Sequence, residues 1–125
     1  MRIILKLVFI IGIFAMTSCS NNSSENKSDD LAVGGLYLFL NDDGSYDVSK
    51  VLAVDEFAVH VRLYSDKFET KPKDLNSADL KFLIGHAPMA KEGFLEGQPE
   101  LLKVEKVSEE ELEGYNYYLD EMNNQ

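Results

Sequence analysis

Residues 50–64 carry the most regular alternation of apolar and polar positions in the chain. Two runs rich in β-branched residues flank Asp55-Glu56, and this pattern predicts an antiparallel β-hairpin with one buried face. A two-residue turn would place Val54 opposite Phe57. Since neither residue of the turn readily adopts a positive φ, a looser connection stays open, and it would shift the register by one residue and exchange the faces.

The two faces of this predicted hairpin differ in polarity. One face is apolar apart from Lys50, which we expect opposite Val61. The other face is mostly polar, so we expect it to meet solvent or a partner. Its facing pairs are Ala53 with Ala58, Val51 with His60, Ser49 with Arg62, and Asp47 with Tyr64.

Apolar runs outside the hairpin predict three further strands, at residues 36–40, 80–84 and 101–107. Turn chemistry at residues 41–44 separates the first strand from the hairpin. Pro88 is expected to end the strand that begins at residue 80, because proline lacks a backbone donor. Residues 65–73 are polar and are predicted to form a loop with Phe68 as its apolar anchor.

The clearest helix signal lies at the C-terminus. Ser108 and Glu111 have the spacing of a capping box, in which each side chain bonds to the backbone N–H of the other residue. Gly114 costs about 1 kcal/mol relative to alanine inside a helix, so we expect a close approach to a neighbour or a weak point there. The residues predicted to dock the helix on the sheet are Leu112, Tyr115, Leu119 and Met122.

These elements predict a mainly β protein with a C-terminal helix. We expect a small SH3-like antiparallel barrel of about five strands, formed as a single domain over residues 33–125. Closure into a barrel would also hide the edge strands from other chains.

The N-terminus predicts export from the cytoplasm. Arg2 and Lys6 give residues 1–18 a positive start, and an apolar run of about ten residues and a few small side chains follow. The run is shorter than the roughly 20 apolar residues that span a membrane, so it is predicted to be a removable signal. The only cysteine of the chain, Cys19, comes directly after it.

Met16-Thr17-Ser18-Cys19 resembles the lipobox of bacterial lipoproteins. The resemblance implies that Cys19 is lipidated, for example with palmitate, and becomes the first mature residue. Acyl chains contribute about 0.8 kcal/mol per buried CH₂, and several together anchor a protein to the membrane. The alternative is an ordinary secretory signal that leaves a free thiol. Serine after the cysteine resembles lipoproteins sent to the outer membrane, so we expect the protein to be lipid-anchored in the bacterial cell envelope, at the periplasmic or surface face of the outer membrane.

The sequence also predicts a tether and an acidic surface. Residues 20–30 contain no large apolar side chain, so residues 19–32 are predicted to be a lipidated cysteine followed by a flexible linker. The formal net charge of the 125-residue chain is -10, and removal of Arg2 and Lys6 with the signal would make it -12. A surface of this sign repels nucleic acid and anionic lipid, so membrane contact is expected through the lipid on Cys19 alone.

Few residues offer catalytic chemistry. The chain has two histidines, His60 and His86, and with a carboxylate such as Asp47 they would form a metal site or an acid–base pair if they met in space. Otherwise we expect His60 to be a half-exposed strand residue and His86 a turn residue. The chain lacks a phosphate-binding glycine loop, a basic patch and a catalytic cysteine. We therefore expect no cofactor, no bound metal and no nucleic-acid partner.

The predicted polar face presents His60, Arg62 and Tyr64 in a row, and arginine and tyrosine are enriched in interface hot spots. We expect these three residues to form the binding site for a protein partner. The alternatives are an immunity or inhibitor protein that neutralises a basic toxin or enzyme, and a metal-dependent hydrolase that uses His60 and His86. Surface arginine and tyrosine are also common without a partner.

Several short pieces together resemble a family of small uncharacterised bacterial proteins over most of residues 34–118. The most specific piece is Val59-His60-Val61-Arg62-Leu63-Tyr64. The others are Gly35-Leu36-Tyr37, residues 50–55, Gly85-His86-Ala87-Pro88 and residues 110–115. That family has no assigned activity. In fold and length the chain also looks distantly like SH3-like immunity proteins, a likeness that implies fold alone.

Overall fold

The computed structural model describes residues 31–125. The predicted signal peptide, Cys19 and most of the predicted tether lie outside the described residues. Leu31 packs against the apolar core, and the backbone N–H of Ala32 donates to the Tyr37 hydroxyl at 2.9 Å. Contacts with the folded domain therefore begin two residues before the predicted boundary at residue 33. Within the described range, no helix is long and apolar enough to cross a membrane.

Five antiparallel strands form one sheet in the order β4-β3-β2-β1-β5. A six-residue helix, α1, follows β4 directly, and an 11-residue helix, α2, ends the domain. A 3-10 turn spans Ser77–Asp79. The strands and helices are β1 Gly35–Leu40, β2 Tyr46–Val54, β3 Ala58–Phe68, β4 Phe82–Ala90, α1 Lys91–Glu96, β5 Glu100–Val104 and α2 Glu113–Asn123.

The prediction of a mainly β fold with five antiparallel strands and a C-terminal helix is confirmed. Closure into a barrel was wrong, because the sheet is open and β4 and β5 are its two edges. Helices and loops complete the two cores instead. Phe94 of α1 packs with the Tyr37 cluster, while Leu75 and Leu80 from the β3–β4 connection pack with the Leu36 cluster on the other core.

The central hairpin is present, but its register differs from the prediction. Val54 pairs with Val59, and Lys50 pairs with Arg62. The turn is looser than two residues because Asp55 organises it: one carboxylate oxygen accepts the backbone N–H groups of Phe57 and Ala58, at 3.0 and 2.7 Å. The pairing next to the turn is therefore two residues away from the predicted register, and an irregularity in β2 between Val51 and Ala53 reduces this offset to one residue. Lys50 consequently lies on the same face as His60 and Arg62, not opposite Val61.

Two strand ends also differ from the prediction. β3 continues through Phe68, which packs on the Leu36 core as a strand residue and not as the anchor of a loop. Pro88 does not end β4, which runs to Ala90. A strand tolerates proline where no neighbour needs its missing N–H, and β4 has a neighbour on one side only.

The capping box at the start of the C-terminal helical segment is confirmed. The backbone N–H of Ser108 donates to a Glu111 carboxylate oxygen at 2.9 Å, and that of Glu111 donates to the Ser108 hydroxyl at 3.1 Å. Regular helix begins two residues later, at Glu113. Of the predicted docking residues, Tyr115 packs on His60, whereas Leu119 and Met122 are exposed and the unpredicted Tyr118 also contacts His60.

Candidate functional site

One face of β3 carries all three residues predicted to bind a partner. His60, Arg62 and Tyr64 alternate along the strand and so point to the same side of the sheet. The expected exposure of this face was wrong: His60 is 0 % exposed and Tyr64 is 7 % exposed, while Arg62 is half-buried. Helix α2 covers His60, and the segments before β4 and after β5 cover Tyr64. Their binding role stays a prediction.

The two histidines meet in space. Nδ1 of His60 lies 2.9 Å from Nε2 of His86, and Nε2 of His60 lies 2.9 Å from a carboxylate oxygen of Asp55. The topology produces this because β3 and β4 are neighbours and His60 pairs with Pro88, two residues beyond His86. The carboxylate in the cluster is Asp55, not the Asp47 considered from sequence. His86 lies within β4 and is half-buried, so the expected turn position was wrong.

The proton positions follow from the hydrogen bonds. A carboxylate only accepts, so Nε2 of His60 donates to Asp55. In a neutral pair, Nδ1 of His60 then accepts the proton on Nε2 of His86. That arrangement leaves Nδ1 of His86 as a basic nitrogen at the end of the chain Asp55, His60, His86.

The environment lowers two pKa values in this chain. Burial lowers the pKa of His86, and the positive charge of a protonated His60 lowers it further. The hydrogen bond from His60 lowers the pKa of Asp55, with help from the backbone N–H groups of Ala58 and Phe57. The two shifts favour an ionised Asp55 on one side of His60 and a neutral His86 on the other.

Two tyrosines of α2 enclose the histidines. The Tyr115 and Tyr118 rings lie edge-on to His60, with centroids 4.6 and 5.0 Å away. Gly114 makes this close approach possible, because a Cβ at that position would lie 2.7 Å from the Cβ of His86. The expectation that Gly114 marks a close contact, one of two considered from sequence, is confirmed.

The histidine pair does not suit a catalytic metal. Two nitrogens bound tetrahedrally to zinc at about 2.0–2.1 Å would be about 3.3 Å apart, with both lone pairs aimed at the ion. Here the facing nitrogens of His60 and His86 are bonded to each other, and the other nitrogen of His60 is held by Asp55. Within residues 31–125, no group of three or more His, Cys, Asp or Glu could hold a metal ion.

Lys50 lies farther along the same face and is 1 % exposed. Its ammonium group contacts both carboxylate oxygens of Glu111 at 3.0 Å, the backbone carbonyl of Lys106 at 2.9 Å and a carboxylate oxygen of Glu105 at 3.3 Å. Burial acts to raise the pKa of Glu105 and Glu111, but hydrogen bonds, including those from Lys50, outweigh it and hold both pKa values below the usual range.

Arg62 and Tyr64 line a cleft next to this ion-pair network. The Arg62 guanidinium lies over the Phe82 ring, 4.2 Å from its centroid, and its Nε donates to the carbonyl of Gly85 at 3.3 Å. The Tyr64 hydroxyl is buried and makes no hydrogen bond, although Ser77 lies nearby. Burial raises the pKa of Tyr64 to about 12, so the phenol stays protonated at neutral pH.

The β4 edge of the sheet presents a second surface of interest. Phe82, Leu83 and Ile84 are 55, 69 and 43 % exposed, and they stand in sequence at the start of the strand. Beside them, an apolar groove of about 470 Å³ is lined in part by Leu63, Leu83 and Phe94. The sequence did not predict this surface, because the expected closure into a barrel would leave no strand edge exposed.

Sequence reasoning also missed Asp55 and Lys50 as parts of the site. Asp55 was assigned to a turn, and it does organise that turn, but its second carboxylate oxygen reaches His60. The signal for Lys50 was present, since it was the one charge on an otherwise apolar face. A buried lysine requires carboxylate partners, and the acidic segment 105–111 was available to supply them.

No protein-family model matches the chain, and comparisons with curated proteins and with solved structures gave no match either. The resemblance to a family of small bacterial proteins therefore stays a prediction, as does the likeness to SH3-like immunity proteins.

Proposed function

We propose that this protein is a lipid-anchored, non-enzymatic binding module of the bacterial cell envelope that holds a protein partner at the β4 edge of its sheet. The proposed location is supported by the N-terminal residues, where a lipobox-like segment ending at Cys19 follows a predicted export signal. We propose the sheet edge as the binding surface in place of the hairpin face, because His60 and Tyr64 are buried.

The observation that carries the proposal is the exposed apolar run Phe82-Leu83-Ile84 on an edge strand. Edge strands present unpaired backbone N–H and C=O groups, and proteins commonly protect them with charges or proline. Pro88 protects the later part of β4 in this way, whereas the first three residues carry large apolar side chains. An edge of this kind suits the addition of an extended segment from a partner.

The groove beside the edge supplies the second contact such binding needs. In strand addition the main-chain hydrogen bonds provide affinity, and pockets for alternate side chains provide specificity. Leu83 belongs to both the exposed edge and the groove wall, and Met89 and Phe94 line the groove farther in. An apolar side chain of the added segment would enter there.

Charge indicates the kind of segment. The chain has 22 acidic and 12 basic residues, so a basic partner is attracted and a second copy of this chain is repelled. The occupant is therefore an extended segment with alternating apolar residues and with lysine or arginine at its other positions. An immunity or inhibitor protein that caps a basic toxin is a special case of this binding mode.

The metal-dependent hydrolase considered from sequence is not favoured. His60 and His86 do meet, but each facing nitrogen is engaged by the other ring. In the described part of the chain no serine, threonine or cysteine is hydrogen-bonded to either ring. A proton relay without a nucleophile or a metal does not by itself define a reaction.

The test is a displayed library of peptides selected against the whole chain in detergent micelles. We expect enrichment of extended peptides with alternating apolar and basic residues. Ile84→Lys or Leu83→Lys should weaken the selected peptides at least about tenfold, because a charge replaces apolar contact area. Val104→Lys is the matched control, since Val104 is 57 % exposed on the opposite edge strand.

Two results would overturn the proposal. One is equal loss of peptide binding in the β4 variants and in Val104→Lys. The other is a dimer in sedimentation experiments that dissociates on Ile84→Lys, since a second copy would then occupy the edge.

A further inference from the structure

A polar cleft separate from the apolar groove lies on the face of the sheet that carries Arg62 and Tyr64. Its volume is about 410 Å³, within the range of roughly 300–1,000 Å³ typical of small-molecule sites. β3 forms its floor, and the segments before β4 and after β5 form its walls. The residues used below are Lys50, Arg62, Tyr64, Ser77, Glu110 and Glu111.

One wall of the cleft is already saturated with internal hydrogen bonds. The Lys50 ammonium is held by Glu105, Glu111 and a backbone carbonyl. Glu105 also accepts from Ser77, and Glu111 from Ser108. These groups have no need of a ligand, so they form the rigid part of the cleft.

Three other groups in the cleft have hydrogen-bonding atoms that no residue within 31–125 uses. The Tyr64 hydroxyl is the one buried side-chain polar atom of residues 31–125 without a hydrogen bond, and the whole residue is only 7 % exposed. The Arg62 guanidinium bonds only through Nε, to Gly85, and forms no ion pair. The Glu110 carboxylate, at the cleft wall, forms no hydrogen bond or ion pair.

The arginine is positioned to receive a ligand. Stacking on Phe82 and the bond from Nε to the Gly85 carbonyl fix the plane of the guanidinium. Its terminal nitrogens are left for a planar acceptor, which a carboxylate supplies with two parallel hydrogen bonds. Arg62 and Tyr64 are two residues apart on one strand face, about 6.6 Å along the strand. One small molecule spans that distance.

We propose that this cleft binds a small zwitterion of the α-amino acid type. Its carboxylate pairs with Arg62, its ammonium group pairs with Glu110, and the Tyr64 hydroxyl donates to a carboxylate oxygen. The charge pattern selects this class of ligand. A simple anion would face Glu105, Glu110 and Glu111, and a simple cation would face Arg62, whereas a zwitterion satisfies both signs.

This inference is tested separately from the partner proposed for the β4 edge, although Phe82 belongs to both surfaces. The residues that test that edge, Leu83 and Ile84, do not line the polar cleft. Failure of either proposal leaves the other in place.

The test measures binding of L-leucine to the full chain in detergent micelles by titration calorimetry and by chemical shifts of β3 amides. Two matched probes remove one charge each: N-acetyl-L-leucine lacks the ammonium group, and L-leucinamide lacks the carboxylate. We expect saturable binding of L-leucine, with each probe at least about tenfold weaker because one charge-assisted contact is lost. Inorganic phosphate should not compete.

The variants follow the same logic. Tyr64→Phe keeps the ring and removes only a hydroxyl that has no protein partner, so the fold is retained. We expect L-leucine to bind about tenfold more weakly to Tyr64→Phe, Arg62→Gln and Glu110→Gln. Glu109→Gln, next in sequence but outside the cleft lining, is the control with unchanged binding.

Three outcomes would overturn the inference. They are absence of saturation at about 10 mM L-leucine, equal binding of L-leucine and one of its single-charge probes, and unchanged binding by Tyr64→Phe. Competition by phosphate would show a general anion site instead.

Discussion

Lys50 is the residue at which the local pattern and the tertiary structure conflict most directly. It stands in a strand among valines and leucines, and its side chain is almost fully removed from water. Isolation of a charge there would be very unfavourable, so its carboxylate partners are required for folding. Glu105 and Glu111 come from sequence positions 55 and 61 residues away. The lysine therefore ties the C-terminal segment to the central strand.

Replacing Lys50 tests this role. Lys50→Met should reduce the free energy of unfolding by about 3–5 kcal/mol, because it leaves the largely buried Glu111 carboxylate without a cation and Glu105 with only Lys103, at 3.9 Å. Urea denaturation measures the change. The control is Lys67→Met, which removes an exposed ion pair with Asp47 and should change stability by about 0–1 kcal/mol. Equal effects of the two variants would contradict the assigned role of Lys50.

His86 is a second single residue that leads to a prediction, in this case about how the stability of the fold depends on pH. Burial holds its pKa in the folded state below the value of about 6.5 in the unfolded chain. As the pH falls, the unfolded chain therefore protonates at His86 before the folded chain does. The stability that depends on neutral His86 is present above about pH 6.5 and is lost as the pH falls through the folded-state pKa. The pKa shift of Asp55, also downward, acts at lower pH, below about 3.9.

The measurement is the urea midpoint of the whole chain between about pH 7.5 and pH 5.5. We expect the midpoint to fall with pH, and we expect a smaller fall in His86→Gln, whatever the absolute stability of that variant. The groups facing His86 are His60, Tyr115 and Tyr118, and they are retained. A steeper pH dependence in the variant would refute the assignment.

At the scale of elements, helix α2 shows what local signals can and cannot predict. Its capping box is a contact between residues three apart, so it was predictable from sequence. Its docking face was predicted less well. Leu119 and Met122 fit the helical period but are exposed, while Tyr118 faces the histidines. The helix is short and covers only part of the sheet, so the position of His60 and His86 decides which of its side chains are partly buried.

Gly114 is the contact point between this helix and β4. Gly114→Ala should destabilise the domain by about 1–3 kcal/mol, because the added Cβ would clash with the Cβ of His86, which cannot move unless the β4 backbone moves. Gly93→Ala in α1 is the matched control. A Cβ at Gly93 would have no neighbour within 4 Å, so this change should stabilise by about 0.5–1 kcal/mol.

Denaturation curves of the two glycine variants, with near-ultraviolet circular dichroism of the tyrosines, measure both effects. If Gly114→Ala were as stable as the native chain and its tyrosine signal were unchanged, α2 would not dock as described.

At the scale of the whole molecule, the predicted barrel and the observed open sheet differ in what happens at the edges. Five strands were expected from the spacing of apolar runs and turns, and residues 31–125 form five. Closure depends on whether the first and last strands in spatial order pair with each other, and no local pattern encodes that. Helix α1 packs against the Tyr37 core on one face of the sheet, and the acidic C-terminal segment bonds to Lys50 on the other face. Both faces of the sheet are therefore covered although it does not close into a barrel.

The membrane anchor is the prediction that belongs to the whole chain. Growth with radiolabelled palmitate should label the protein, and Cys19→Ala should abolish the label and release the protein from membranes, since the acyl chains are the anchor. Ser20→Ala is the control that leaves both unchanged. Membrane association without label on Cys19 would contradict the lipoprotein assignment.

The sequence by itself determined the features that depend on neighbouring residues: the alternating hairpin, the capping box, the turn at residues 41–44 and the class of the fold. Local stereochemistry and periodicity are sufficient for these. Only the tertiary structure decided the hairpin register, the open edges and the burial of His60 and Tyr64. Those outcomes depend on contacts between distant residues, such as Asp55 with His60 and Lys50 with Glu111, and their free energies appear only when the strands and the helix are assembled.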